Sequence, residues 1–435
     1  MKYQHRNKAV LGTLLGNIME FYDFVIYGYL STYLGKHFFP SENETVSLLM
    51  TFSVFAGGYL IRPLGSIIFG YIGDTNGRKP ALLYSISLMS FSTLCMGFIP
   101  TYKQAGLISP LILTILRLLQ GLAVSGEQGG AIVYLAEYFK MQKIGILSSL
   151  MLSSVLAGVL LGTLSVAVCQ IVLPENEMLS WGWRIPFYFS VVLGFVSFKL
   201  RLNSIESPTF KQAYKIVKQA PVMCLVKENF GNCLKMFSLS ISFSVAISFH
   251  NTYLPIFYSK ISAFGLKSGL IVSSLGIFWI GILSPLVGFL SEKIGYIKTI
   301  QAGCLLLLIS GYQFFLLLQD HSGFSIIIME VVFGLVIALI SAPMFAVFVQ
   351  NFPMRSRYTG VSLTYNLGMS IFASLTPMVA IALFQWTNMQ YLIGVFLSLS
   401  ALGGLMSLGP LFGIQLKPKI LKLRVKLNER NASSI

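Results

Sequence analysis

The sequence predicts an all-α membrane protein with twelve transmembrane helices in two pseudo-symmetric six-helix bundles. Composition, the number of long apolar segments and an internal repeat predict this fold. Of the 435 residues, 55% are hydrophobic and 11% are charged, with a mean hydropathy of +0.75. A soluble domain carries about 25% charged residues. The composition therefore excludes an ordinary soluble protein and fits one unit of many membrane spans.

Hydropathy divides the chain into twelve apolar segments, most with the roughly 20 residues that a membrane-spanning helix needs. The longest polar interval follows the sixth segment, so there are two sets of six. The predicted spans are 9–35, 46–71, 80–99, 107–138, 145–173, 184–200, 231–258, 266–290, 299–318, 323–350, 359–386 and 389–412. The predicted organisation is an N-terminal bundle over 1–200, a cytoplasmic linker over 201–230, a C-terminal bundle over 231–412 and a basic cytoplasmic tail over 413–435.

The distribution of basic residues predicts the orientation. Of the 31 lysines and arginines, 25 lie in segments that alternation of the spans places on the side of the N-terminus, and five lie in the opposite loops. The positive-inside rule then puts both termini in the cytoplasm. The net charge of +16 reflects this topology and attraction to anionic headgroups, so we expect a lipid bilayer as partner and no nucleic acid.

The sequence offers no motif of cofactor or metal chemistry. The five cysteines form no CxxC pair, and most of them fall in or beside apolar spans. We therefore expect no metal, no cofactor and no disulfide framework. No HExxH motif, P-loop or catalytic nucleophile pattern is present, so we do not expect an enzyme.

A loop motif between spans 2 and 3 recurs between spans 8 and 9. The matching residues, at a constant offset of 218, are Gly70 and Gly288, Asp74 and Glu292, and Gly77 and Gly295. The second copy has Tyr296 and Ile297 in place of Arg78 and Lys79. Six-helix repeats with a binding site between them are a known transporter plan.

The first copy of the motif has the features of a gate. Its glycines allow a tight turn, and Asp74 can pair with a basic residue or with the positive N-terminus of a neighbouring helix. A purely topological role is the alternative. The predicted gating residues are Gly70, Asp74, Gly77, Arg78, Lys79 and, near the end of span 4, Glu137.

Two carboxylates, Glu20 and Asp23, lie in the middle of the first span. A charge there costs about 3 kcal/mol, so such residues usually face a protein interior or a water-filled cavity. They share one helix face, where repulsion favours binding of a proton. We predict that they couple transport to protons; a structural pair bonded to hydroxyls or Arg117 is the alternative. Tyr22 and Tyr27 flank them and could hold an ammonium group by cation–π attraction, or simply pack.

Span 4 carries Arg117 and, ten residues later, Glu127. Arg117 keeps its charge and binds carboxylates in a two-pronged way. It either binds an anionic group of a solute or neutralises one of the span 1 carboxylates. Glu127 is a further solute-binding candidate, although the neighbouring glycines indicate close helix packing.

The second half has fewer polar candidates. Glu330 is the acid within its spans, and His250 and Asn251 are notable polar residues of span 7. We predict these three as solute-binding residues. The alternative for His250 is a hydrogen-bonded packing residue.

Five stretches carry a resemblance to a known family: GNIMEFYDFVIYG (16–28), GGYLIRPLGSIIFGYIGD (57–74), GYIGDTNGRK (70–79), RLLQGLAVSGEQGGA (117–131) and WGWRIPF (181–187). The sequence resembles the major facilitator superfamily and, within it, the metabolite:proton symporters, which include proline/betaine, α-ketoglutarate and shikimate carriers. The resemblance extends over essentially the whole chain. It implies the major facilitator fold and transport of a small solute.

The expected function is secondary-active transport, as proton-coupled symport of a small organic solute. The solute is either a proline/betaine-like zwitterion or an organic carboxylate. A facilitative or exchange carrier and a non-transporting sensor are the alternatives, and dependence on a proton gradient separates them. We expect a monomeric functional unit in the bacterial inner (plasma) membrane, with the solute and protons as partners.

Overall fold

The fold is given by a computed structural model that describes residues 2–213, 221–254, 258, 265–317, 323–387, 389 and 391–409. Within these ranges the chain is helical apart from short turns, and they contain no β-strand. The predicted tail over 413–435 and residues 214–220 of the predicted linker lie outside the described residues.

The N-terminal half contains six spans. Span 1 is Lys2–Tyr29, span 2 is Glu44–Leu60 and then Arg62–Thr75, span 3 is Arg78–Phe98, span 4 is Ile108–Tyr138, span 5 is Ile144–Val172 and span 6 is Ile185–Leu202. Short helical segments in the loops are Ser31–Phe38, Tyr102–Ala105, Glu175–Ser180 and Gly182–Arg184.

The C-terminal half follows two short helices, Pro208–Ala213 and Pro221–Glu228. Span 7 is Phe230–Ser248 with a π-helical turn at Phe249–Tyr253, span 8 is Gly265–Ile294, span 9 is Tyr296–Leu317 and span 10 is Gly323–Ser341 and then Met344–Asn351. After a short turn at Met354–Ser356, span 11 is Arg357–Gly368, a π-helical turn at Met369–Ala373 and Ser374–Thr387; span 12 is Tyr391–Leu408.

Glycine and proline determine several turns and breaks. Gly77 enters span 3 with φ at 127°, a conformation that residues with a side chain rarely adopt. Pro63 lies near the start of the second part of span 2, where its missing N–H leaves no helical bond unmade. Pro285 lies inside span 8, and membrane bundles tolerate such residues because neighbouring groups satisfy the freed carbonyl.

The two halves pack in the same way. In the first half, span 1 packs against spans 5 and 6, span 3 against spans 4 and 6, and span 4 against span 2. The same contacts recur six spans later, since span 7 packs against spans 11 and 12, span 9 against spans 10 and 12, and span 10 against span 8. Spans 2 and 5 also contact spans 11 and 8 across the interface, again as a symmetric pair. This is the predicted arrangement of two pseudo-symmetric six-helix bundles.

In the described part of the chain, eleven helical segments are long and apolar enough to cross a membrane. The other predicted span, Tyr296–Leu317, is a helix of 22 residues that packs against spans 10 and 12. Within the described residues, each of the twelve predicted spans is therefore helical, and the predicted fold class holds.

We name the end of the bundles that carries the loop between spans 2 and 3 the inner end; the sequence predicts it to be cytoplasmic. In a variant without the five native cysteines, we expect a cysteine at the exposed Asn76 to react only from the cytoplasm. A cysteine at the exposed Glu175, in the loop between spans 5 and 6, is expected to react only from outside. Labelling of both positions from the same side by a membrane-impermeant reagent contradicts this topology.

Candidate functional site

Asp23 of span 1 is buried inside the N-terminal bundle and held by two hydroxyl groups. Thr93 of span 3 donates a hydrogen bond to Oδ2 (2.6 Å), and Ser190 of span 6 donates to Oδ1. Thr93 accepts a bond from Gln120 Nε2 (2.7 Å), and Gln120 accepts one from the guanidinium of Arg117. Asp23 and Arg117 are therefore joined through two side chains rather than by a direct ion pair.

Glu20 is also buried, but it has a different neighbourhood. Its side chain lines a small central cavity together with Arg62 of span 2 and Arg117 of span 4. No group among the described residues donates a hydrogen bond to its Oε2, and neither arginine forms an ion pair with a described acid. The two predicted carboxylates are thus one hydrogen-bonded acid, Asp23, and one unpaired acid, Glu20.

Aromatic rings stabilise the two cavity arginines. The guanidinium carbon of Arg117 lies 4.5 Å from the ring centroid of Tyr27 and 4.7 Å from that of Phe55. The guanidinium carbon of Arg62 lies 4.1 Å from the ring centroid of Tyr59. Cation–π attraction is strongest where the charge is desolvated. Because both Nε atoms lack a partner within the described residues, the arginines keep spare hydrogen-bond donors.

The cavity has a volume of about 10 Å³, close to what one buried water needs. Phe24 and Met89 form part of its apolar wall, and Gly58 and Gly121 bring spans 2 and 4 close together. A solute therefore fits only after the surrounding spans move apart. The conformation is closed around the site.

Glu127 does not line the cavity. Both of its oxygens are bound by Arg201 of span 6, with Nη1 2.7 Å from Oε2 and Nη2 on Oε1, and Ser85 also donates to Oε2 (3.1 Å). Arg201 Nε donates to the backbone oxygen of Gly12 (3.0 Å), so the pair ties spans 1, 4 and 6 together. Against the expectation of a solute-binding role, Glu127 has no free oxygen for a solute.

Of the two tyrosines beside the carboxylates, one reaches the site. Tyr27 lies against Arg117, and its hydroxyl donates to the backbone oxygen of Thr51 (3.2 Å). Tyr22 turns towards span 6, where it donates to the backbone oxygen of Pro186 (2.9 Å). The geometry therefore gives Tyr22 a packing role.

At the inner end, Asp74 of span 2 caps the first turn of span 11. Its Oδ1 accepts a hydrogen bond from the backbone N–H of Tyr358 (3.0 Å) and from Arg78 Nη1 (2.7 Å). Its Oδ2 accepts bonds from the backbone N–H (3.0 Å) and the hydroxyl (2.8 Å) of Thr359. A carboxylate here satisfies free N–H groups and complements the helix dipole. Asp74 makes both contacts that the sequence suggested, and the cap joins the two halves.

Glu137 of span 4 binds the arginines of this region. Arg78 donates from Nε to Oε2 (3.1 Å) and from Nη2 to Oε1 (3.0 Å), while Arg357 Nη1 donates to Oε1 (2.9 Å). Arg78 also donates to the backbone oxygen of Met354, beyond the interface (2.9 Å). We name the set Asp74, Arg78, Glu137 and Arg357 the inner lock. Two acids and two bases make it neutral overall.

The other predicted gating residues support the inner lock. Lys79 Nζ donates to two backbone oxygens near the end of span 6 (2.8 and 2.7 Å). The backbone N–H of Lys79 donates to Glu206 Oε2 (3.0 Å). Burial raises the pKa of the Glu206 carboxyl, although backbone N–H bonds oppose that rise. A Cβ on Gly77 would lie 2.4 Å from Glu206 Oε2, and one on Gly70 would lie 2.7 Å from the Cα of Thr359. Larger residues would therefore push the linker or span 11 away.

The second copy of the loop motif caps the equivalent helix. Glu292 Oε1 accepts a hydrogen bond from the backbone N–H of Gly145 (2.7 Å), in the first turn of span 5. The hydroxyl of Tyr296 donates to Oε2 (2.8 Å), in the place that Arg78 has in the first copy. Two symmetry-related caps therefore join the halves at the inner end.

In the C-terminal bundle, the predicted residues Glu330, His250 and Asn251 form one cluster. Glu330 Oε2 lies 2.8 Å from His250 Nε2, and its Oε1 accepts a bond from the hydroxyl of Tyr258 (2.9 Å). His250 Nδ1 lies 2.9 Å from Asn251 Oδ1. None of these residues lines the central cavity.

A family comparison agrees with this architecture, since the model of the Major Facilitator Superfamily matches residues 13–373. The chain belongs to the Major Facilitator Superfamily. The proline/betaine transporter of Escherichia coli (strain K12) is 29% identical over 411 residues, which are 92% of this chain and 82% of that protein. The glycine betaine/proline/ectoine/pipecolic acid transporter OusA of Dickeya dadantii (strain 3937) is 28% identical over the same shares.

Solved structures of the superfamily have the same fold. The proton:xylose symporter XylE, bound to 6-bromo-6-deoxy-D-glucose, superposes with a TM-score of 0.77 at 14% identity, over 95% of this chain and 96% of XylE. The human organic anion transporter MFSD10 gives a TM-score of 0.69, also at 14% identity, over 93% of this chain and 99% of that one. The predicted family and fold class are confirmed, and this superfamily member is a multi-pass membrane transporter rather than an enzyme.

Sequence reasoning missed two buried arginines of this transporter. Arg62 lies within the predicted span 46–71 and is not among the predicted site residues, but it is 6% exposed and lines the central cavity. Arg201, assigned to the linker, is 3% exposed and pairs with Glu127. The break at Ile61 was the available signal for Arg62, because an interrupted membrane helix often lies beside a binding site.

The Asp74→Asn variant tests the inner lock. The amide removes the ion-pair partner of Arg78 and one of the two accepting oxygens, a loss of roughly 1–2 kcal/mol, which changes the ratio of inner-closed to inner-open states about tenfold. A cysteine at Ser362, buried beside span 4, is expected to become more reactive, and transport to fall more than protein level.

Glu44→Gln is the matched control for Asp74→Asn, since its pair with Lys36 (3.6 Å) is exposed and contributes little. Normal transport and unchanged reactivity in Asp74→Asn contradict the lock.

Proposed function

We propose that this transporter is a proton-coupled symporter of a small organic solute that carries a carboxylate group. We place it in the bacterial inner membrane with both termini cytoplasmic. The observation that supports the proposal is one cavity lined by two buried arginines and one buried glutamate, none of them in an ion pair with a described residue.

Arg62 and Arg117 are suited to bind the solute carboxylate. Guanidinium groups bind carboxylates through parallel hydrogen bonds, which are roughly twice as strong as neutral ones. Both groups lie on aromatic rings and have a free Nε, so their orientation is set before the solute arrives. A solute without an anionic group would leave the spare hydrogen-bond donors of both guanidinium groups unsatisfied.

Glu20 is the proposed proton-binding group and the contact for a positive nitrogen. Its Oε2 lacks a donor among the described residues, so a proton or a solute ammonium can take that position. With Asp23, Glu20, Arg62 and Arg117 all ionised, the site is neutral. A monoanionic carboxylate that enters with one proton keeps the site neutral, whereas a zwitterion, which is neutral itself, and one proton add a charge of +1.

The curated relatives favour a zwitterion as the solute. OusA is named for glycine betaine, proline, ectoine and pipecolic acid, which all carry a carboxylate and a positive nitrogen. For such a solute, the carboxylate would bind the two arginines and the nitrogen would face Glu20. We infer a proline- or betaine-like zwitterion as the first candidate and an organic carboxylate as the second.

The chain from Asp23 through Thr93 and Gln120 to Arg117 offers a physical route for coupling. A solute that draws Arg117 towards itself weakens the Gln120 bond and changes the donors available to Asp23. Solute binding and proton binding are then linked by a coupling free energy, as symport requires. A facilitative or exchange carrier is the alternative, and its solute flux would not depend on the proton gradient.

The carboxylate requirement is tested by uptake into proteoliposomes of proline, glycine betaine, a dicarboxylate and shikimate, with choline as the matched cation without a carboxylate. We expect uptake of at least one carboxylate solute and none of choline. Arg117→Ala and Arg62→Ala are each expected to lower uptake at least about tenfold, since a charged hydrogen bond contributes about 1.5–3 kcal/mol.

Arg355→Ala, which removes an exposed arginine, is the control for the two arginine variants and is expected to leave uptake unchanged. Choline uptake equal to that of betaine, or normal uptake in Arg117→Ala, contradicts this assignment.

Glu20→Gln is expected to abolish uphill uptake and to retain solute exchange, because the variant keeps the shape of the side chain but cannot carry a proton. Asp23→Asn is expected to abolish uphill uptake as well, since an amide cannot accept from both hydroxyls. The measurement compares accumulation driven by an imposed proton gradient with exchange at equal pH.

Glu127→Gln is the control for the Glu20 and Asp23 variants, because it is expected to destabilise the N-terminal bundle without removing a proposed proton-binding group. It leaves Arg201 buried without its partner, which costs about 3–5 kcal/mol, so we expect less folded protein. If Glu20→Gln and Asp23→Asn both accumulate solute against its gradient, the coupling proton does not pass through these residues.

A further inference from the structure

The C-terminal bundle buries a histidine, a carboxylate and a phenol in direct contact. His250 and Tyr258 of the span 7 region bind opposite oxygens of Glu330, which lies on span 10. Their exposed fractions are 0%, 2% and 6%, respectively. Buried ionisable groups within membrane spans are rare and mark ion or proton pathways.

The hydrogen-bond geometry determines how many protons the cluster holds. His250 Nδ1 faces Asn251 Oδ1, an oxygen without a hydrogen, so Nδ1 must carry one. A second hydrogen must lie between His250 Nε2 and Glu330 Oε2. A neutral histidine beside an ionised glutamate has only one of these two hydrogens. The cluster therefore holds one extra proton, either as histidinium with glutamate or as histidine with glutamic acid.

Among the described residues, the surroundings of the cluster supply no further charge to balance it. Span 10 contributes Met329 and Phe333, whose ring stacks on His250 at 6.0 Å, and span 8 contributes the backbone of Gly276. Span 9 adds Phe314 behind Phe333. No described lysine or arginine forms an ion pair with Glu330.

The other described ionisable groups of the neighbouring spans lie at the edge of the cluster or at the inner end of the protein. Tyr253 belongs to span 7 itself, and the side chain of Lys267, on span 8, lies outside the described residues. Glu292, Lys293 and Lys298 belong to the inner end of spans 8 and 9. The part of span 11 packed on the π-helical turn, Ser374–Thr387, has no charged residue.

Two backbone features lie beside the cluster: a π-helical turn in span 7 and a close approach of span 8 at Gly276. His250 and Asn251 lie in the π-helical turn Phe249–Tyr253, a distortion that is frequent at functional sites. A Cβ on Gly276 would lie 1.9 Å from Glu330 Oε2 and 2.8 Å from His250 Nε2. Span 8 therefore closes directly over the bond between the histidine and the glutamate.

We propose that His250, Glu330 and Tyr258 form a second proton-binding site, in the C-terminal bundle, that holds span 7 against span 10 while it carries its proton. Release of that proton to water leaves a neutral imidazole and a carboxylate, and the charge of the cluster changes from zero to −1. Two acceptors then face each other across 2.8 Å, so the contact opens and the distorted turn of span 7 is free to move.

The proton count is tested by NMR of ¹⁵N-histidine-labelled protein in lipid nanodiscs. The chain has four histidines, so His5→Gln, His37→Gln and His321→Gln together leave His250 as the single signal and the cluster native. We expect a hydrogen on Nδ1 at the low-pH end of a titration, in either form of the shared proton. A neutral ring with hydrogen on Nε2 alone overturns the proposal.

The movement is tested in a background without native cysteines, with one cysteine at the exposed Thr252 in the π-helical turn. We expect its labelling rate, divided by that of a cysteine at the exposed Asn76 at the same pH, to change at least about fivefold across a pH titration, the low end of typical coupling between sites. Glu330→Gln and Gly276→Ala, which disrupts the contact from span 8, are expected to remove this pH dependence.

Ser242→Ala is the control for the labelling test, because Ser242 is buried on span 7 and bonded to span 12, away from the cluster. It is expected to keep the pH dependence. Labelling that is independent of pH in the unmodified cluster, or equally pH-dependent in Glu330→Gln and Gly276→Ala, overturns the proposal. Neither measurement needs a transported solute, so its outcome is independent of the proposed symport.

Discussion

Charge buried in a membrane bundle must be neutralised, and this constraint organises the protein. The inner lock balances two acids with two arginines, and the pair between spans 4 and 6 and the cluster between spans 7 and 10 each balance one acid. Asp23 is held by two hydroxyls instead. Glu20, Arg62 and Arg117 are the described buried charges left without a partner, and they line one cavity. A ligand can complete the pairing of such charges, so these exceptions support the proposed solute site.

The two caps at the inner end are related by symmetry but differ in strength. Asp74 receives two backbone N–H groups, a hydroxyl and a guanidinium, and Glu137 binds that guanidinium in turn. Glu292 receives one backbone N–H and one phenol. Hydrogen bonds between charged groups are roughly twice as strong as those with a neutral partner. The contact between spans 2 and 11 is therefore the stronger of the two, and the substitution of Tyr296 for arginine is the cause.

The sequence predicted the spans and the two halves because both follow from hydropathy and from a repeat within the chain. It also predicted the contacts of Asp74 with a basic residue and a helix N-terminus, because the loop motif puts an acid beside a helix end; the gating role stays a prediction. It failed where a residue's role depends on its partner. Glu127 looked available for a solute because Arg201 is 74 positions away, beyond the apolar segment of span 6. Helical periodicity shows on which face of its helix a residue lies. The residue that contacts it there depends on how the helices of the bundle pack.

The contact between Glu330 and His250 also depends on how the bundle packs, because 80 positions separate the two residues. The sequence alone could not predict it. Each was recognisable as a polar residue in an apolar span, which made both candidates. Their contact depends on the π-helical turn in span 7, which no turn signal in Phe249–Tyr253 announces. The cluster therefore needed the packing of spans 7, 8 and 10 to become visible.

Span 11 connects the inner lock to the solute site. Beyond the cap at Asp74, the hydroxyl of Tyr358 donates to the backbone oxygen of Gly126 on span 4 (2.6 Å). Further along, Ser370 donates to the backbone oxygen of Tyr59 on span 2 (2.7 Å), and the Tyr59 ring carries the guanidinium of Arg62. One helix is thus bonded to the N-terminal bundle from the cap to the cavity. Because packed helices move as rigid bodies, loss of the cap would loosen the support of Arg62, the proposed solute-binding arginine, and solute bound to Arg62 would act back on the lock.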